Sequence, residues 1–147
     1  MPEQQFALVL LTNAESASPL VNELFADDWA LRLFTGLANP PAPPRLLSSA
    51  ELAPYEGRYQ LQQVDAAGRL TGLPPVTVTA RGGGLAVRSG RGHGALLTFY
   101  DTAAGPDYAL VLDAGGAPRG TRADFLRDAA GQVRWLRLNG RLHQHVT

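Results

Sequence analysis

The chain has 147 residues, enough for one domain, or a small domain with an extension, that needs no disulfide or metal for stability. Its 13 basic and 13 acidic residues cancel, which argues against a protein that binds nucleic acid or an acidic membrane surface. There is no Cys and every basic residue is Arg, which excludes thiolate chemistry and every mechanism that requires a Lys.

The first apolar run, FALVLLT, spans residues 6–12. A continuous apolar run fits a strand buried on both faces, and such a strand needs a neighbour on each edge. The next segment predicts a helix over residues 16–37 with a broad apolar face formed by Leu20, Val21, Leu24, Phe25, Trp29, Leu31 and Phe34. Because a helix supplies no strand partner, residues 1–37 are interpreted as a strand–helix arm, the end of a larger sheet whose remainder is missing.

A proline-rich segment follows at residues 38–47, with four prolines between positions 40 and 44. Prolines this dense cannot continue a helix and favour extended polyproline geometry, so the segment is predicted to be a semi-rigid linker. Ser48 and Glu51 then match a capping box, which predicts a short helical turn over residues 49–53.

Residues 54–147 have the pattern of an all-β domain. Tyr55, Gly57, Tyr59 and Leu61 alternate with polar residues and predict the first strand. Further strands are predicted near 76–80 and at Leu85–Arg88, Ala95–Tyr100, Tyr108–Leu112, Thr121–Leu126, Val133–Leu138 and Arg141–Val146. Asp-x-x-Gly turns and the hairpin signal Asn139-Gly140 separate them. About eight short strands with short turns predict an up-and-down barrel or a closed sandwich.

The order of these parts is similar to that in a known family. An apolar strand ending in Leu-Thr-Asn, a helix ending in Gly36-Leu37, a proline-rich linker and the motif Leu52-Ala-Pro-Tyr-Glu-Gly-Arg-Tyr59 succeed one another, and the chain closes with Gly131–Leu136 and Gly140–Leu142. This arrangement resembles the C-terminal portion of the serine β-lactamase-like hydrolases, the penicillin-binding-protein-like and class C type esterases. The resemblance implies a mainly β (α+β) chain with three parts: an arm that is a remnant of the catalytic domain (1–37), the linker (38–47) and a lipocalin-like antiparallel barrel (48–147).

The family's catalytic motifs have no counterpart in this sequence. Without Lys there is no Ser-x-x-Lys motif, no Tyr is followed two positions later by Asn, and no Lys- or His-x-Gly triplet precedes Phe6. We therefore expect a non-catalytic C-terminal fragment that is inactive alone and has no cofactor: a truncated product, a chain with a misassigned start or half of a split enzyme. The alternative is an independent lipocalin-like module for small-molecule binding or oligomerisation.

Two histidines are the candidate metal ligands. His143 and His145 lie two positions apart on a predicted strand and so share one face. A third ligand would have to come from Asp124, Asp128 or His93; the competing interpretation is that both histidines are solvated residues near a terminus. The Asp-x-x-Gly turns are interpreted as ordinary turns rather than calcium sites. Arg134, Arg137 and Arg141 are interpreted as part of a solvated face rather than as a basic patch.

The arm also predicts an interface. Its candidate contact residues are Phe6, Leu8, Leu10, Phe25, Trp29 and Phe34. They are expected to pack against a second copy in a homodimer or against a separately encoded catalytic half, with packing onto the chain's own barrel as the competing outcome. No apolar run is long enough to span a membrane and no basic segment precedes the first one, so the sequence predicts a cytoplasmic protein.

Overall fold

The computed structural model describes Leu11, Leu33, Gly36 and residues 43–70, 73–90, 94–102 and 105–146. The chain divides into two compact units, Met1–Pro41 and Ala42–Thr147, and the division falls inside the proline-rich segment. Of the predicted buried strand 6–12 the structure describes Leu11 alone, which is not in a strand and is 88% exposed. The rest of that strand, most of the predicted helix and the six predicted interface residues lie outside the described residues. Leu33 has helical backbone, and Gly36 has φ +67°, the conformation that commonly ends a helix.

Within the described residues, the second unit contains nine strands and one helical segment. Helix α1 (Ser49–Leu52) runs directly into a 3-10 turn (Ala53–Tyr55), and the two together are called the cap below. The strands are β1 (Pro44–Arg45), β2 (Gly57–Leu61), β3 (Val76–Arg81), β4 (Gly84–Ser89), β5 (Ala95–Tyr100), β6 (Tyr108–Leu112), β7 (Pro118–Arg127), β8 (Val133–Leu138) and β9 (Arg141–Val146).

Strands β2 to β9 close into an antiparallel barrel. Each pairs with its neighbours along the chain, β5 pairs with β6, and β2 pairs with β9 to complete the circle. The prediction of a mainly β chain with an eight-stranded lipocalin-like barrel is therefore confirmed, and the sandwich alternative is excluded. Closure leaves none of these eight strands with a fully unpaired edge.

Two local predictions need correction at the start of the barrel. Tyr55 lies in the 3-10 turn rather than in a strand, because Pro54 at the start of that turn continues the helical geometry begun by the capping box. The linker prediction misses β1: Pro44 and Arg45 pair with Tyr100 and Phe99 of β5. A proline is tolerated there because β1 lies at the edge, where no partner needs its missing N–H.

Side chains fill the interior of the barrel. Tyr59, Phe99 and Leu136 are each 0% exposed, and the core also contains Leu52, Tyr55, Val78, Leu85, Leu97, Ala109, Val111, Ala123 and Phe125. Four aromatic rings contact one another near the capped end, where the centroid of Tyr55 lies 4.9 Å from those of Phe99 and Phe125. An eight-stranded barrel is just wide enough for side chains to fill it.

Gly57 allows the first and last strands of the barrel to meet. Its φ is +143°, and a Cβ at this position would overlap the Nε2 atom of His145. The His145 ring occupies that space and stacks on Tyr59 with centroids 4.7 Å apart and an interplanar angle of 13°. A glycine is needed here for both its backbone conformation and its lack of a side chain.

We expect Gly57→Ala to lower the free energy of unfolding by about 3 kcal/mol or more, because it combines backbone strain with a steric overlap. Gly105→Ala is the matched control: Gly105 has φ +129° but open space around it, so only strain of about 1–2 kcal/mol applies. Urea unfolding followed by circular dichroism measures both. Equal losses in the two variants would show that the contact with His145 is unimportant.

Candidate functional site

A polar cluster closes the capped end of the barrel. The Tyr55 hydroxyl donates to Asp107 Oδ1 at 2.6 Å and accepts from Arg127 Nη2 at 2.9 Å. Arg127 also donates from Nε to Asp107 Oδ2 at 2.9 Å and from Nη2 to Oδ1 at 2.8 Å. Three elements far apart in sequence meet here: the cap, the segment before β6 and the end of β7.

The surroundings of these groups fix their protonation states. Burial, and then the hydrogen bond to the Asp107 carboxylate, raise the pKa of Tyr55 to about 12. Burial alone would raise the pKa of Asp107, but hydrogen bonds from Arg127 and Tyr55 outweigh it and leave that pKa below its ordinary value. The hydrogen bond to Asp107 raises the pKa of Arg127. At neutral pH the cluster holds a neutral phenol, a carboxylate and a guanidinium.

This cluster is suited to structural rather than chemical work. The Tyr55 hydroxyl both donates and accepts, and the remaining Arg127 nitrogen, Nη1, donates to the Gly131 carbonyl at 2.9 Å. The Arg127 guanidinium also lies 5.3 Å from the centroid of the Tyr55 ring. A phenol whose only proton is held by an ionised carboxylate is not an activated nucleophile, so the arrangement acts as a clasp that fixes the cap to the barrel.

Arg45 extends the polar surface at the same end. Its Nη2 donates to the Pro106 carbonyl at 2.6 Å, and its Nη1 lies 3.4 Å from Asp101 Oδ1. Its Nε is buried with no hydrogen-bond partner among the described residues. Arg45 therefore ties β1 to the loop between β5 and β6.

The two candidate metal ligands face the inside of the barrel. His143 pairs with Leu61 and Leu136, and His145 pairs with Tyr59, so both histidines share the inward face of these core residues. The prediction that they share one face is confirmed. Burial lowers the pKa of His143, which favours its neutral form.

Each imidazole is oriented by a backbone carbonyl. His143 Nδ1 lies 3.2 Å from the Arg141 oxygen and His145 Nδ1 lies 3.2 Å from the Val133 oxygen. Since a carbonyl only accepts, Nδ1 carries the proton in both rings. The histidines therefore pack as hydrogen-bonded members of the barrel wall rather than as solvated residues at a terminus.

The structure does not bring the predicted third ligand to this pair. Asp124 lies on the outer face between inward Ala123 and Phe125 and forms a two-point ion pair with Arg137, at 2.8 and 2.9 Å. Asp128 belongs to the turn between β7 and β8, and His93 lies outside the described residues. Within the described part of the chain, no group of three or more His, Asp or Glu side chains is arranged to hold a metal ion.

The Asp-x-x-Gly segments form three turns of one design. In each, the Asp Oδ1 accepts from the backbone N–H groups two and four residues later, as Asp65 does from Ala67 and Arg69 at 2.8 and 3.0 Å. The equivalent distances are 2.8 and 2.9 Å at Asp113 and 2.9 and 3.0 Å at Asp128. The carboxylates are satisfied by their own turns, as the turn interpretation predicted.

The arginines near the C-terminus are paired rather than gathered into a patch. Arg137 contacts Asp124, Arg134 lies 3.9 Å from Asp128, and Arg141 donates to Gln63 at 3.2 Å. Residues 91–93, in the glycine-rich segment that follows β4, lie outside the described residues.

No protein-family model matches the chain, and no curated protein matches it. Within the described residues, no helix has the length and apolar character needed to cross a membrane.

The Tyr55–Asp107–Arg127 clasp has no signature in the sequence. Tyr55 and Arg127 are 72 residues apart, and no local pattern joins them. The one available signal was Tyr55 itself, because a large amphipathic side chain beside a predicted helical turn needs a partner for its hydroxyl.

We expect the free energy of unfolding to decrease in acid because Asp107 becomes protonated. Its pKa is lowered in the folded state, so its contribution is complete above the ordinary Asp value of about 4 and is lost as the pH falls through the lowered pKa. We expect Asp107→Asn to lower the free energy of unfolding by about 1.5–3 kcal/mol at pH 7, and we expect the difference from the natural chain to shrink as the pH falls below about 4. Urea midpoints at several pH values measure this.

The carboxylates of Asp65 and Asp113, whose pKa values are also lowered, are present in both proteins and cancel in the difference. Two parallel stability curves would contradict an ionised Asp107 in the clasp.

Proposed function

We propose that the barrel is a non-catalytic accessory domain of a serine β-lactamase-like hydrolase, and that its role is packing rather than chemistry. The observation that carries the proposal is the filled interior. Together with the resemblance of the sequence to the C-terminal portion of that family, it favours an accessory domain over a ligand-binding module.

A ligand-binding barrel needs free volume inside its walls. The small inward residues Ala109 and Ala123 are the positions where such volume would be expected, yet they are 0% and 1% exposed. The Phe99 side chain is paired across the strands with Ala109, and Phe125 follows Ala123 on the same inward face. Large rings thus occupy the space that the alanines leave, which supports the packing role.

The outer wall of β5 and β6 supplies a surface for packing. Leu97 and Val111 point into the core, so Leu96, Leu110 and Leu112 point outward, and all three are partly exposed. Leu96 pairs with Leu112, and Leu110 pairs with Thr98, so the leucines lie side by side. Strands that are apolar on both faces are typical of sheets covered on both sides. We assign the covering body to the hydrolase domain that the resemblance implies.

An oligomerisation module is the second candidate, and the same surface favours it. In the isolated chain, the outward leucines of β5 and β6 would meet a second copy instead of a hydrolase domain. The homodimer expected from the sequence is therefore proposed to use this face, whatever the arm contributes.

The first test is enzymatic and uses the purified chain alone. We expect no hydrolysis of the chromogenic cephalosporin nitrocefin or of p-nitrophenyl butyrate, because the chain lacks the family's Ser-x-x-Lys motif. A class C β-lactamase assayed in parallel serves as the positive control. Turnover proportional to the concentration of the chain would contradict the proposal.

The same preparation separates the accessory domain from a ligand-binding module. The apolar dye 8-anilinonaphthalene-1-sulfonate should not gain fluorescence in the natural chain if the interior is full. Saturable dye binding that Ala109→Phe abolishes, without loss of the fold, would favour the binding module.

The second test is the solution mass by light scattering on a sizing column. We expect twice the chain mass for the natural protein and a single chain mass for Leu110→Arg, because the substitution buries a charge in the apolar face and places it opposite Arg122. Leu142→Arg is the matched control, since Leu142 is 42% exposed on β9. A monomeric natural protein, or equal effects of both substitutions, would contradict self-association through this face.

A further inference from the structure

A groove with a volume of about 590 Å³ lies on the outer face of the barrel wall. Its lining consists of Arg58, Pro74, Pro75, Thr77, Thr79, Arg88 and Gly90. We call it the outer groove. A volume of this size is within the range of small-molecule sites.

The strand register builds the floor of this groove. Thr77 of β3 pairs with Arg58 of β2 on one side and with Arg88 of β4 on the other. These residues face outward because their neighbours Tyr59 and Val87 are buried in the core. Two strand spacings place the Cα atoms of the two arginines about 10 Å apart, so one small group above Thr77 is within reach of both guanidinium groups.

Neither arginine has a carboxylate partner among the described residues. Each Asp and Glu of the described barrel is engaged elsewhere: Glu51 with Ser48, Glu56 with the Ala80 N–H, Asp65 with Arg69, Asp101 with Arg45, Asp107 with Arg127, Asp113 with its own turn, Asp124 with Arg137, and Asp128 with its turn and Arg134. Neither arginine of the outer groove therefore forms an ion pair with a described carboxylate. Glu56, two residues before Arg58, instead accepts from the Ala80 N–H beside Thr79. Guanidinium groups form charge-assisted hydrogen bonds with oxyanions, so the groove favours a ligand that carries an oxyanion.

The apolar side of the groove is held in place. Gln60 Nε2 donates to the Leu73 carbonyl at 2.8 Å, which fixes the residue before the Pro74-Pro75 pair against β2. Each proline ring also restricts its own backbone. The rings form a rigid apolar wall beside the arginines, and the geometry suits a ligand with a short apolar body next to its charged group.

We propose that the outer groove binds a small organic oxyanion, a carboxylate or a phosphate monoester, between Arg58 and Arg88 with the Thr77 hydroxyl as a further donor. A carboxylate and a phosphate monoester share the relevant chemistry, because each presents two or more oxygen acceptors that match the paired N–H donors of a guanidinium. The inference is independent of the proposed accessory role, because it depends on the outer surface of β2–β4 and not on β5 and β6.

The test is a titration of the ¹⁵N-labelled full chain monitored by amide chemical shifts. The probes are sodium benzoate for a carboxylate and phenyl phosphate for a phosphate monoester, with sodium chloride at matched ionic strength as the screening control. We expect saturable shifts centred on the amides of Thr77 and Thr79 with at least one of the two organic probes. The tighter probe identifies the class of oxyanion.

Substitutions then assign the site. Arg58→Gln and Arg88→Gln should each weaken binding about tenfold, as expected for loss of a charge-assisted hydrogen bond. Arg119→Gln is the matched control, an exposed arginine on β7 and away from the groove. Both arginines of the groove are exposed and have no ion-pair partner within the described part of the chain, so their replacement should not disturb the fold. An unchanged amide spectrum elsewhere in the barrel would confirm that the variants are folded.

Three outcomes would overturn the proposal. Shifts produced equally by chloride would reduce the effect to screening. Shifts that do not saturate with either organic probe would show that no site exists. An Arg119→Gln variant as weak as Arg58→Gln would show that general positive charge, not the groove, attracts the anions.

Discussion

The rest of the barrel depends on the hydrogen bonds made by the Tyr55 hydroxyl. Its ring fills the capped end between Phe99 and Phe125, and burying a phenol there is unfavourable unless its hydroxyl is hydrogen-bonded. Asp107 accepts a hydrogen bond from the hydroxyl and Arg127 donates one to it, and the two residues form an ion pair with each other. One side chain thus joins the start of the domain to the segment before β6, 52 residues later, and to the end of β7, 72 residues later.

Closure of the barrel depends on a second long-range meeting, between β2 and β9. Residues 58–61 pair with residues 143–146, so nearly the whole domain lies between the partners, and the chain entropy lost on closing this loop must be recovered by contacts. The Tyr59 ring recovers part of it by packing on His145 and on Phe125. Gly57 makes the approach possible because it carries no side chain where the imidazole lies.

What the sequence predicted correctly is local, and what it missed is not. Alternation and turn signals set the bounds of β5, β6, β8 and β9, and the capping box located α1, because each of these signals lies within a few residues. β1 was missed because Pro44 gains strand geometry only from β5. The histidines show the limit most clearly: in the last strand the apolar Leu142 and Val146 would be expected inside, yet the barrel register places His143 and His145 there, where carbonyl groups accept their Nδ1 protons.

The charges of this domain illustrate why net charge and local charge lead to different conclusions. A chain with 13 positive and 13 negative residues has no overall attraction for anions, and that argument still applies to long-range steering of large polyanions. The carboxylates of the described barrel, however, are held by turns, by the cap, by the clasp, by ion pairs with Arg45 and Arg137 and, for Glu56, by the Ala80 N–H. Arg58 and Arg88 lie on the outer wall beside threonines, prolines and Gly90, and neither has an ion-pair partner among the described residues. Because the fold places its carboxylates at the turns and at the closed end of the barrel, the remaining surface of β2–β4 is locally positive. A small anion near that surface interacts with this local charge rather than with the net charge of the chain.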